Sequence, residues 1–250
     1  MALSVIITTY NEEDNIRGVL ETVQWADEIM VVDSFSTDAT VAIAKEYTDF
    51  VVQRAYQGPA DQKNWAIPQV AHPWILLLDA DERVTPELRA EVEGYLAKEQ
   101  VEEDAFWIGR RNFFLGQEVR YSGWQGDAVV RFFRRDRCRY NEKQVHEEIE
   151  LDGLKVGRLG AKMIHNTYKD MSHYLDKVRR YAKWSAQDYA AKTKRVGAYH
   201  LLGKPIFRFF KHYVVQQGFR DGRLGLILSL ILAWSVFLRY VYLLEQRKKP

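Results

Sequence analysis

The N-terminal part of the chain alternates short apolar runs with segments of helical periodicity. The apolar runs cover residues 3–9, 28–33, 49–54 and 74–79. Apolar side chains recur at helical spacing after the first three runs, which predicts helices beginning near residues 11, 36 and 58. Uninterrupted Val, Ile and Leu runs between helices are typical of parallel strands covered on both faces. The pattern therefore predicts an α/β fold with a mostly parallel sheet.

The rest of the chain changes character twice. Shorter, aromatic-rich apolar runs in residues 105–167 predict strands of an antiparallel portion. Beyond Tyr168 the apolar spacing is helical to the end. We therefore predict one domain over residues 1–167, with halves at 1–100 and 101–167, and a separate helical region over residues 168–250.

Polar residues follow three of the predicted strands, in the segments "TTYNEE", "DSFS" and "DADE" that begin at Thr8, Asp33 and Asp79. Ligands of open α/β sheets bind at the carboxyl ends of the strands, so these segments are expected to converge on one crevice. The first strand-to-helix turn contains no glycine, and no G-x-x-x-x-G-K-[ST] loop occurs. These absences argue against a dinucleotide-dependent enzyme and against a P-loop nucleotidase.

Three carboxylates occur within four consecutive residues at the end of the predicted strand 74–79, and they belong to Asp79, Asp81 and Glu82. A D-x-D motif at a strand end suits a divalent cation, because carboxylate oxygens are hard ligands. For this motif alone, a solvated acidic turn before the helix predicted at residues 85–96 is the simpler interpretation. The polar segments at the other two strand ends favour a cation site over a solvated acidic turn.

Several motifs together resemble family 2 glycosyltransferases. Residues 3–90 carry "SVIITTYNEEDNI", "EIMVVDSFSTDAT", "DQKNWAI" and "ILLLDADE" in the order of that family's N-terminal half. The later motifs "RRNFFLG", "GWQGD", "RFFRRD", "VHEEIELDG" and "HNTYKD" resemble the branch that includes the lipopolysaccharide core β-1,4-glucosyltransferases. The resemblance implies a GT-A fold, inverting transfer from a nucleotide sugar, and Mg²⁺ or Mn²⁺ as cofactor. It also implies a nucleotide-sugar-binding half at 1–100 and an acceptor-side half at 101–167.

The resemblance further implies roles for individual residues. The nucleotide-sugar site would consist of Thr9, Tyr10, Asn11, Glu12, Asp33, Lys63, Asn64, Asp79 and Ala80. Asp81 would hold the metal directly, and Asp79 would be shared between the ribose and the metal. Apart from the resemblance, His165 at the end of a predicted strand is a candidate for a third metal contact or for a phosphate contact, or else a structural histidine. Asp33 would accept a hydrogen bond from uracil or ribose. Acceptor contacts are expected from Arg110, Trp124, Arg131 and His146.

The catalytic base is the point where the sequence departs from the family. The family usually has a Glu-Asp pair where this chain has His146-Glu147. A carboxylate serves as a base when partial burial brings its pKa toward the working pH, so Glu147 is the first candidate and Asp127 the second. The alternative for Glu147 is an exposed acidic hairpin.

Charge is divided unevenly along the chain. The net charge is +2, yet residues 168–250 carry 17 Lys and Arg against 5 Asp and Glu. This balance favours an anionic partner for the helical region. The N-terminus has the pattern of a strand rather than of a signal peptide. Cys138 is the only cysteine, which excludes an internal disulfide and suits a reducing compartment.

The helical region has two segments with the composition of membrane-contacting helices. On a helical wheel of residues 204–215, an apolar arc faces a cationic arc formed by Arg208, Lys211 and His212, with Val215 on the polar side. The apolar arc consists of Ile206, Phe209, Phe210, Tyr213 and Val214. This pattern predicts an interfacial helix on an anionic leaflet, or else a helix packed on the catalytic domain.

The second segment, residues 224–238, contains no charge but is shorter than the roughly 20 residues that a spanning helix needs. Extension to residue 244 reaches that length only by including Arg239. We interpret the segment as a monotopic insertion or as a docking surface for homo-oligomerisation.

The sequence as a whole predicts a metal-dependent inverting glycosyltransferase at the cytoplasmic face of a bacterial inner membrane, peripheral or monotopic. It would transfer glucose from UDP-glucose to a lipid-linked acceptor such as the lipopolysaccharide inner core. The alternatives are a polyprenyl-phosphate sugar synthase, a peptide-modifying glycosyltransferase, and a membrane-bound scaffold with an inactive GT-A fold. No nucleic-acid partner is expected, because the arginine-rich stretch at residues 131–139 lies in a domain of acidic balance.

Overall fold

A computed structural model of the protein describes residues 1–141, 148–168 and 170–248. The chain forms two compact units. The first contains Met1–Arg111 and Asp127–His165, and the second contains Asn112–Gly126 and Asn166–Pro250. The functional division proposed from the sequence, at residues 167 and 168, stays a prediction.

A sheet forms the centre of the first unit. Its strands are β1 (Leu3–Thr9), β2 (Glu28–Asp33), β3 (Val51–Gln53), β4 (Trp74–Asp79), β5 (Glu82–Arg83), β6 (Ala105–Phe114), β7 (Gln117–Val119), β8 (Ala128–Arg134) and β9 (Val156–Asn166). The last residues of β6 and β9, and all of β7, belong to the second unit. The helices of the first unit are α1 (Glu13–Glu21), α2 (Thr40–Ala44), α3 (Pro59–Ala66) and α4 (Pro86–Leu96), with a 3-10 turn at Ile67–Gln69.

The strand order places three strand ends side by side. In the described residues the order is β3-β2-β1-β4-β8-β6-β9-β5, with β7 paired to β6. The first four of these strands are mutually parallel, and β8 runs antiparallel to both β4 and β6. Thr9 is in register with Asp33, and Thr8 is in register with Asp79. The predicted convergence of the polar strand ends is therefore confirmed, as is the mixed α/β fold.

The uninterrupted apolar run of β4 is explained by packing on both faces of the sheet. Ile75 and Leu77 belong to one buried cluster, whereas Leu76 and Leu78 belong to another. Successive side chains of a strand point to opposite faces, so each face of β4 is buried under its own apolar layer. Helices α1 and α4 contribute to one layer, and the region around Ile67 contributes to the other.

One predicted helix is much shorter than expected. The helix predicted over residues 36–47 is α-helical only at Thr40–Ala44. Side chains before it bind backbone groups and hold a loop instead: Asp38 accepts from the amide of Thr40 at 3.0 Å, and Ser36 accepts from the amide of Asn11 at 2.8 Å. Short polar side chains compete in this way with the helical hydrogen-bond ladder.

The second unit is mostly helical, as predicted for the region after Tyr168. It contains α5 (Met171–Ala190), α6 (Lys204–Phe210) and α7 (Gly222–Lys248). π-Helical turns at Tyr199–Gly203 and Lys211–Val215 flank α6, and a 3-10 turn at Gly218–Asp221 precedes α7. Within the described residues, one helix, Gly218–Arg247, is long and apolar enough to cross a membrane by length and composition.

Candidate active site

Asp79, the last residue of β4, is surrounded by hydrogen-bond donors and cations. Its Oδ1 accepts a hydrogen bond from Thr8 Oγ1 at 2.9 Å and lies 3.4 Å from Lys63 Nζ. Its Oδ2 is paired with the guanidinium of Arg131. Burial alone would raise the pKa of this carboxyl, but the charges of Arg131 and Lys63 and the Thr8 hydrogen bond hold it well below its usual range. Asp79 is therefore a fixed, ionised carboxylate.

Glu82, one of the three neighbouring carboxylates, does not face the solvent. It is fully buried, and its Oε2 accepts the backbone amide of Asp79 at 3.0 Å. Its Oε1 lies 3.1 Å from Arg131 Nη2 and 3.4 Å from Arg110 Nη1. Two arginines therefore compensate this charge beneath the D-x-D turn. Sequence reasoning assigned Glu82 no site role.

The acceptor contact expected of Arg131 stays a prediction, and the structure shows a further set of partners for this side chain. The residue is 4% exposed, and its guanidinium is engaged by Asp79 and Glu82, with Tyr140 Oη 3.3 Å from Nη1. Two carboxylates therefore hold this guanidinium inside the protein. Arg131 thereby supports the D-x-D turn from below.

Arg110 and Asp127 form a bidentate pair. Arg110 donates from Nε to Asp127 Oδ2 at 2.9 Å and from Nη2 to Oδ1 at 2.7 Å. Burial lowers the pKa of Arg110, but the hydrogen bond and charge of Asp127 and the charge of Glu82 outweigh this and raise it. Both oxygens of Asp127 are thus occupied by a permanent cation. Proton uptake by Asp127 would disrupt this pair, which disfavours it as the base.

The D-x-D aspartate Asp81 and the predicted metal contact His165 meet. Asp81 Oδ2 lies 3.5 Å from His165 Nε2, and the side chains are 26% and 18% exposed. The antiparallel pairing of β5 with β9 sets this distance, because Glu82 is in register with His165.

A carboxylate oxygen beside an imidazole nitrogen fits a divalent cation such as Mn²⁺. Among the described residues there is no cluster of three or more His, Cys, Asp or Glu suited to a metal. The described part of the chain thus brings two donors together, and Asp79, with both oxygens engaged, is a weaker candidate than Asp81.

Asp33 organises the loop after β2. It is fully buried, and its Oδ2 accepts from the amide of Ser36 at 2.9 Å and from Gln53 Nε2 at 2.9 Å. Its Oδ1 accepts from the hydroxyl of Ser36. The carboxylate is thus already satisfied by three protein donors. The structure therefore shows that Asp33 shapes this loop. The nucleotide contact predicted for Asp33 from the sequence stays a prediction.

The end of β1 turns sharply at the same edge. Asn11 has a positive φ of 53°, its amide donates to Ser36, and its Oδ1 accepts from the amide of Thr37 at 2.8 Å. Tyr10 is 57% exposed, whereas Thr9 is buried. The Thr9 hydroxyl has no hydrogen-bond partner among the described residues. A buried hydroxyl without a partner at the edge where these strands end is a natural contact for a bound ligand.

Glu12, just before α1, and Lys63, on α3, both contact neighbouring side chains. Glu12 accepts from Asn15 Nδ2 at 2.8 Å, and its amide donates to Thr40 Oγ1 at 2.8 Å. Lys63 is buried with its Nζ 5.2 Å from the ring centre of Tyr140.

The side-chain amide of Asn64 donates to the carbonyl of Tyr140 and accepts from its amide, both at 2.8 Å. Asn64 therefore fixes the chain at Tyr140, a use that differs from the predicted diphosphate contact. Ala80, in the D-x-D turn, is buried.

Three predicted site residues remain to be described. Trp124 lies in the second unit, where its ring packs 6.5 Å from that of Phe114. His146 and Glu147 lie outside the described residues.

Arg83 was missed by the sequence reasoning. Its Nη1 donates to the carbonyl of Ala80 at 2.8 Å and its Nη2 to the carbonyl of Asn15 at 2.8 Å, which ties the D-x-D turn to α1. Gly18 permits this contact, since a Cβ there would lie 2.5 Å from Arg83 Nε.

The comparison with known families decides the relationship of this chain. The sequence profile of glycosyl transferase family 2 matches residues 4–147, more than half of the protein. The chain belongs to this family. The resemblance inferred from the strand-end motifs is therefore confirmed, and the protein is a family 2 glycosyltransferase with a GT-A fold.

Individual relatives agree with this assignment. The lipopolysaccharide core biosynthesis glycosyltransferase LpsC of Rhizobium meliloti is 29% identical over 95% of this chain and 90% of its own length. The mannosyltransferase PcManGT of Pyrobaculum calidifontis, solved with GDP-Man and Mn²⁺, superposes with a TM-score of 0.55 at 16% identity, over 98% of this chain and 88% of that one. Residues 1–349 of Staphylococcus aureus TarS with UDP-GlcNAc give 0.50 at 15%, over 99% and 92%. At such identities the two structures establish the fold alone.

Proposed function

We propose that this glycosyltransferase is metal-dependent and inverting, and that it transfers glucose from UDP-glucose to a lipid-linked acceptor of the lipopolysaccharide core type. The observation that carries the proposal is the approach of Asp81 Oδ2 to His165 Nε2, 3.5 Å apart, at the edge where three parallel strands end. The acceptor class is supported by the similarity to LpsC, which extends over nearly the whole of both chains.

Asp81 and His165 would hold Mg²⁺ or Mn²⁺, which neutralises charge on the leaving diphosphate when bound. The residues around them have complementary tasks. Arg131 and Lys63 keep Asp79 ionised and fixed, so the turn that carries Asp81 is set before the donor binds. The unpartnered hydroxyl of Thr9 is available to the nucleotide. Pre-set groups cost no reorganisation when the leaving charge develops.

Glu147 is the base in this proposal. It takes the proton of the acceptor hydroxyl, the oxygen forms a bond to the anomeric carbon, and the bond from that carbon to the diphosphate breaks with inversion. The alternative base, Asp127, holds Arg110 through both of its oxygens, and this supports the choice of Glu147.

A membrane location is supported by the orientation of α6. Its outward residues are apolar: Ile206, Phe207 and Phe210 are 56%, 70% and 55% exposed. The side chains of Lys204 and Arg208 are instead partly covered, and Lys204 reaches Tyr240 on α7. A helix in water places its charges outward and its aromatic residues inward. The reversed arrangement suits an apolar surrounding, so we place this face in the interfacial layer of the inner membrane, on the cytoplasmic side.

Turnover of nucleotide sugars tests the proposal. Release of UDP or GDP is measured with a panel of UDP- and GDP-sugars and Mn²⁺, with water or a lipid-linked core oligosaccharide as acceptor. We expect UDP-glucose to be the best donor, and acceptor-stimulated UDP release to be lost in Asp81→Asn but kept in the exposed control Asp49→Asn. Preference for a GDP-sugar, or equal activity of the two variants, would contradict the proposal.

A further inference from the structure

Three cations of the second unit gather around one tyrosine. Lys204 and Arg208 lie one turn apart on α6, and Arg239 lies on α7. The ring centre of Tyr189 is 5.9 Å from Lys204 Nζ and 4.5 Å from Arg239 Cζ. Burial, and the nearby charge of Arg239, lower the pKa of Arg208. We name Lys204, Arg208 and Arg239 the inner cation cluster.

Within the described part of the chain, the inner cation cluster has no counter-charge. Among the described residues, none of its members forms an ion pair with a carboxylate, and the only hydrogen bond is from Lys204 Nζ to Tyr240 Oη at 2.7 Å. The Nε atoms of Arg208 and Arg239 are buried and lack a hydrogen-bond partner. A buried guanidinium nitrogen without an acceptor is costly, and two like charges side by side add to that cost.

Another arginine of α7, Arg247, finds its hydrogen-bond acceptors within the protein. Arg247 donates to three backbone carbonyls, those of Ala190, Thr193 and Lys194. No such acceptors face Arg208 or Arg239 in the described residues. The contrast indicates that the acceptor for the inner cation cluster comes from outside the chain.

The surroundings of the cluster indicate the nature of that acceptor. All three members are partly exposed, so an anion can reach them. The same two helices present apolar side chains to the outside, among them Phe207 at 70% and Phe237 at 37% exposure. An amphiphile with a phosphate head and apolar tails satisfies both features, because guanidinium forks match phosphate oxygens and the aromatic face matches the tails.

We propose that the inner cation cluster is a binding site for the phosphate group of an anionic phospholipid whose tails lie along the exposed apolar face of α6 and α7. This inference rests on the proposed membrane association and deepens it, since it converts a general surface attraction into a defined headgroup site. It is independent of the donor, the acceptor and the metal.

The test compares single substitutions that remove the same charge. Arg208→Gln and Arg239→Gln remove cluster members, and Arg223→Gln removes an exposed cation of α7 as the matched control. Binding of each full-length protein is measured by flotation with vesicles of phosphatidylcholine alone and of phosphatidylcholine with phosphatidylglycerol. Melting temperatures are recorded with and without inorganic phosphate. Because loss of one arginine relieves repulsion within the cluster, both cluster variants are expected to melt no lower than the parent protein.

The headgroup site predicts unequal losses. Arg208→Gln and Arg239→Gln should weaken binding to phosphatidylglycerol vesicles about 10- to 100-fold, as for charge-assisted hydrogen bonds. Arg223→Gln should weaken it only about fivefold, as for a cation near an anionic surface. All variants should keep the weaker binding to phosphatidylcholine.

Three results would overturn the inference. Equal losses of vesicle binding in the three variants would mean that the cluster contributes only general electrostatic attraction, and the membrane proposal would stand. Absence of binding by the parent protein to either vesicle would remove the membrane proposal and the headgroup site together. Stabilisation by inorganic phosphate that disappears in Arg239→Gln, without any difference in vesicle binding, would assign the site to a free phosphate instead.

Discussion

The Nε2 atom of His165 lies 3.5 Å from the Oδ2 atom of Asp81. The two residues lie far apart in the sequence and are brought together by the pairing of β5 with β9. Asp81 follows β4, whose end is fixed by Thr8, Lys63 and Arg131. The parallel part of the sheet therefore determines the position of Asp81. One donor is thus supplied by the parallel portion of the sheet and the other by its antiparallel portion.

The buried arginine beneath the turn is expected to dominate local stability. Arg131→Met leaves the buried Glu82 with Arg110, at the longer distance, as its cationic partner and also removes a partner of Asp79. Breaking one side of a buried ion pair costs about 3–5 kcal/mol, so the free energy of unfolding should fall by about that amount in urea titrations. Arg134→Met, in an exposed pair with Asp136, should cost less than about 1 kcal/mol. Equal costs for the two variants would show that Arg131 does not support the site.

The two candidate bases are separated by their effect on turnover. Glu147→Gln removes the proposed base and should lower kcat by about 10²- to 10⁴-fold, with little change in KM for UDP-glucose. Asp127→Asn removes the partner of Arg110 and should reduce thermal stability more than kcat. Steady-state kinetics with an acceptor, together with melting curves, give both quantities. If Asp127→Asn has the greater loss of kcat, the assignment of the base is reversed.

The single thiol is expected to be inert in the native protein. Cys138 is fully buried, and burial, assisted by the charge of Asp104, raises the pKa of its thiol to about 11. Since the thiolate is the reactive form, the native protein should react with Ellman's reagent at pH 8 far more slowly than the protein in urea. The raised pKa also means that the unfolded thiol ionises first, so the contribution of Cys138 to stability declines as pH rises from about 8.5 toward 11. Native and unfolded rates of equal size would contradict this environment.

The exposed aromatic face is expected to bind neutral membranes. Phe207→Ser with Phe210→Ser removes two side chains that are more than half exposed. Burial of a phenylalanine contributes about 1.5–3 kcal/mol, so partitioning into phosphatidylcholine vesicles should fall by at least about tenfold per residue. Tyr181→Ser, on the exposed part of α5, is the matched control and should have little effect. Unchanged partitioning of the double variant would show that this face does not contact lipid.

The sequence predicted the parts of the fold that depend on regular alternation and on strand direction. The apolar run of β4 is uninterrupted because its two faces enter separate cores, and parallel neighbours bring Thr9, Asp33 and Asp79 to one edge. These relationships follow from periodicity and topology, which a single sequence displays. The meeting of these strand ends at one edge was therefore predictable.

The polar network around the end of β4 was not predictable in the same way. Arg131 lies within the apolar strand β8, between Val130 and Phe132, and this placement was a sign that it would be buried and require a carboxylate. Which carboxylate it meets depends on the pairing of β8 with β4, a long-range contact. Likewise, the wheel of residues 204–215 separated apolar from cationic positions, but it did not show that the cationic positions at Lys204 and Arg208 face α7.

The most direct test of the account is the dependence of UDP affinity on Mn²⁺, measured by isothermal titration calorimetry with and without EDTA. If Asp81 and His165 hold the cation, Mn²⁺ should tighten UDP binding to the parent protein and to the control Asp49→Asn. The increase should disappear in Asp81→Asn and in His165→Ala, while the weaker metal-free binding remains. An undiminished effect of Mn²⁺ in both site variants would contradict the proposed metal site at the D-x-D turn.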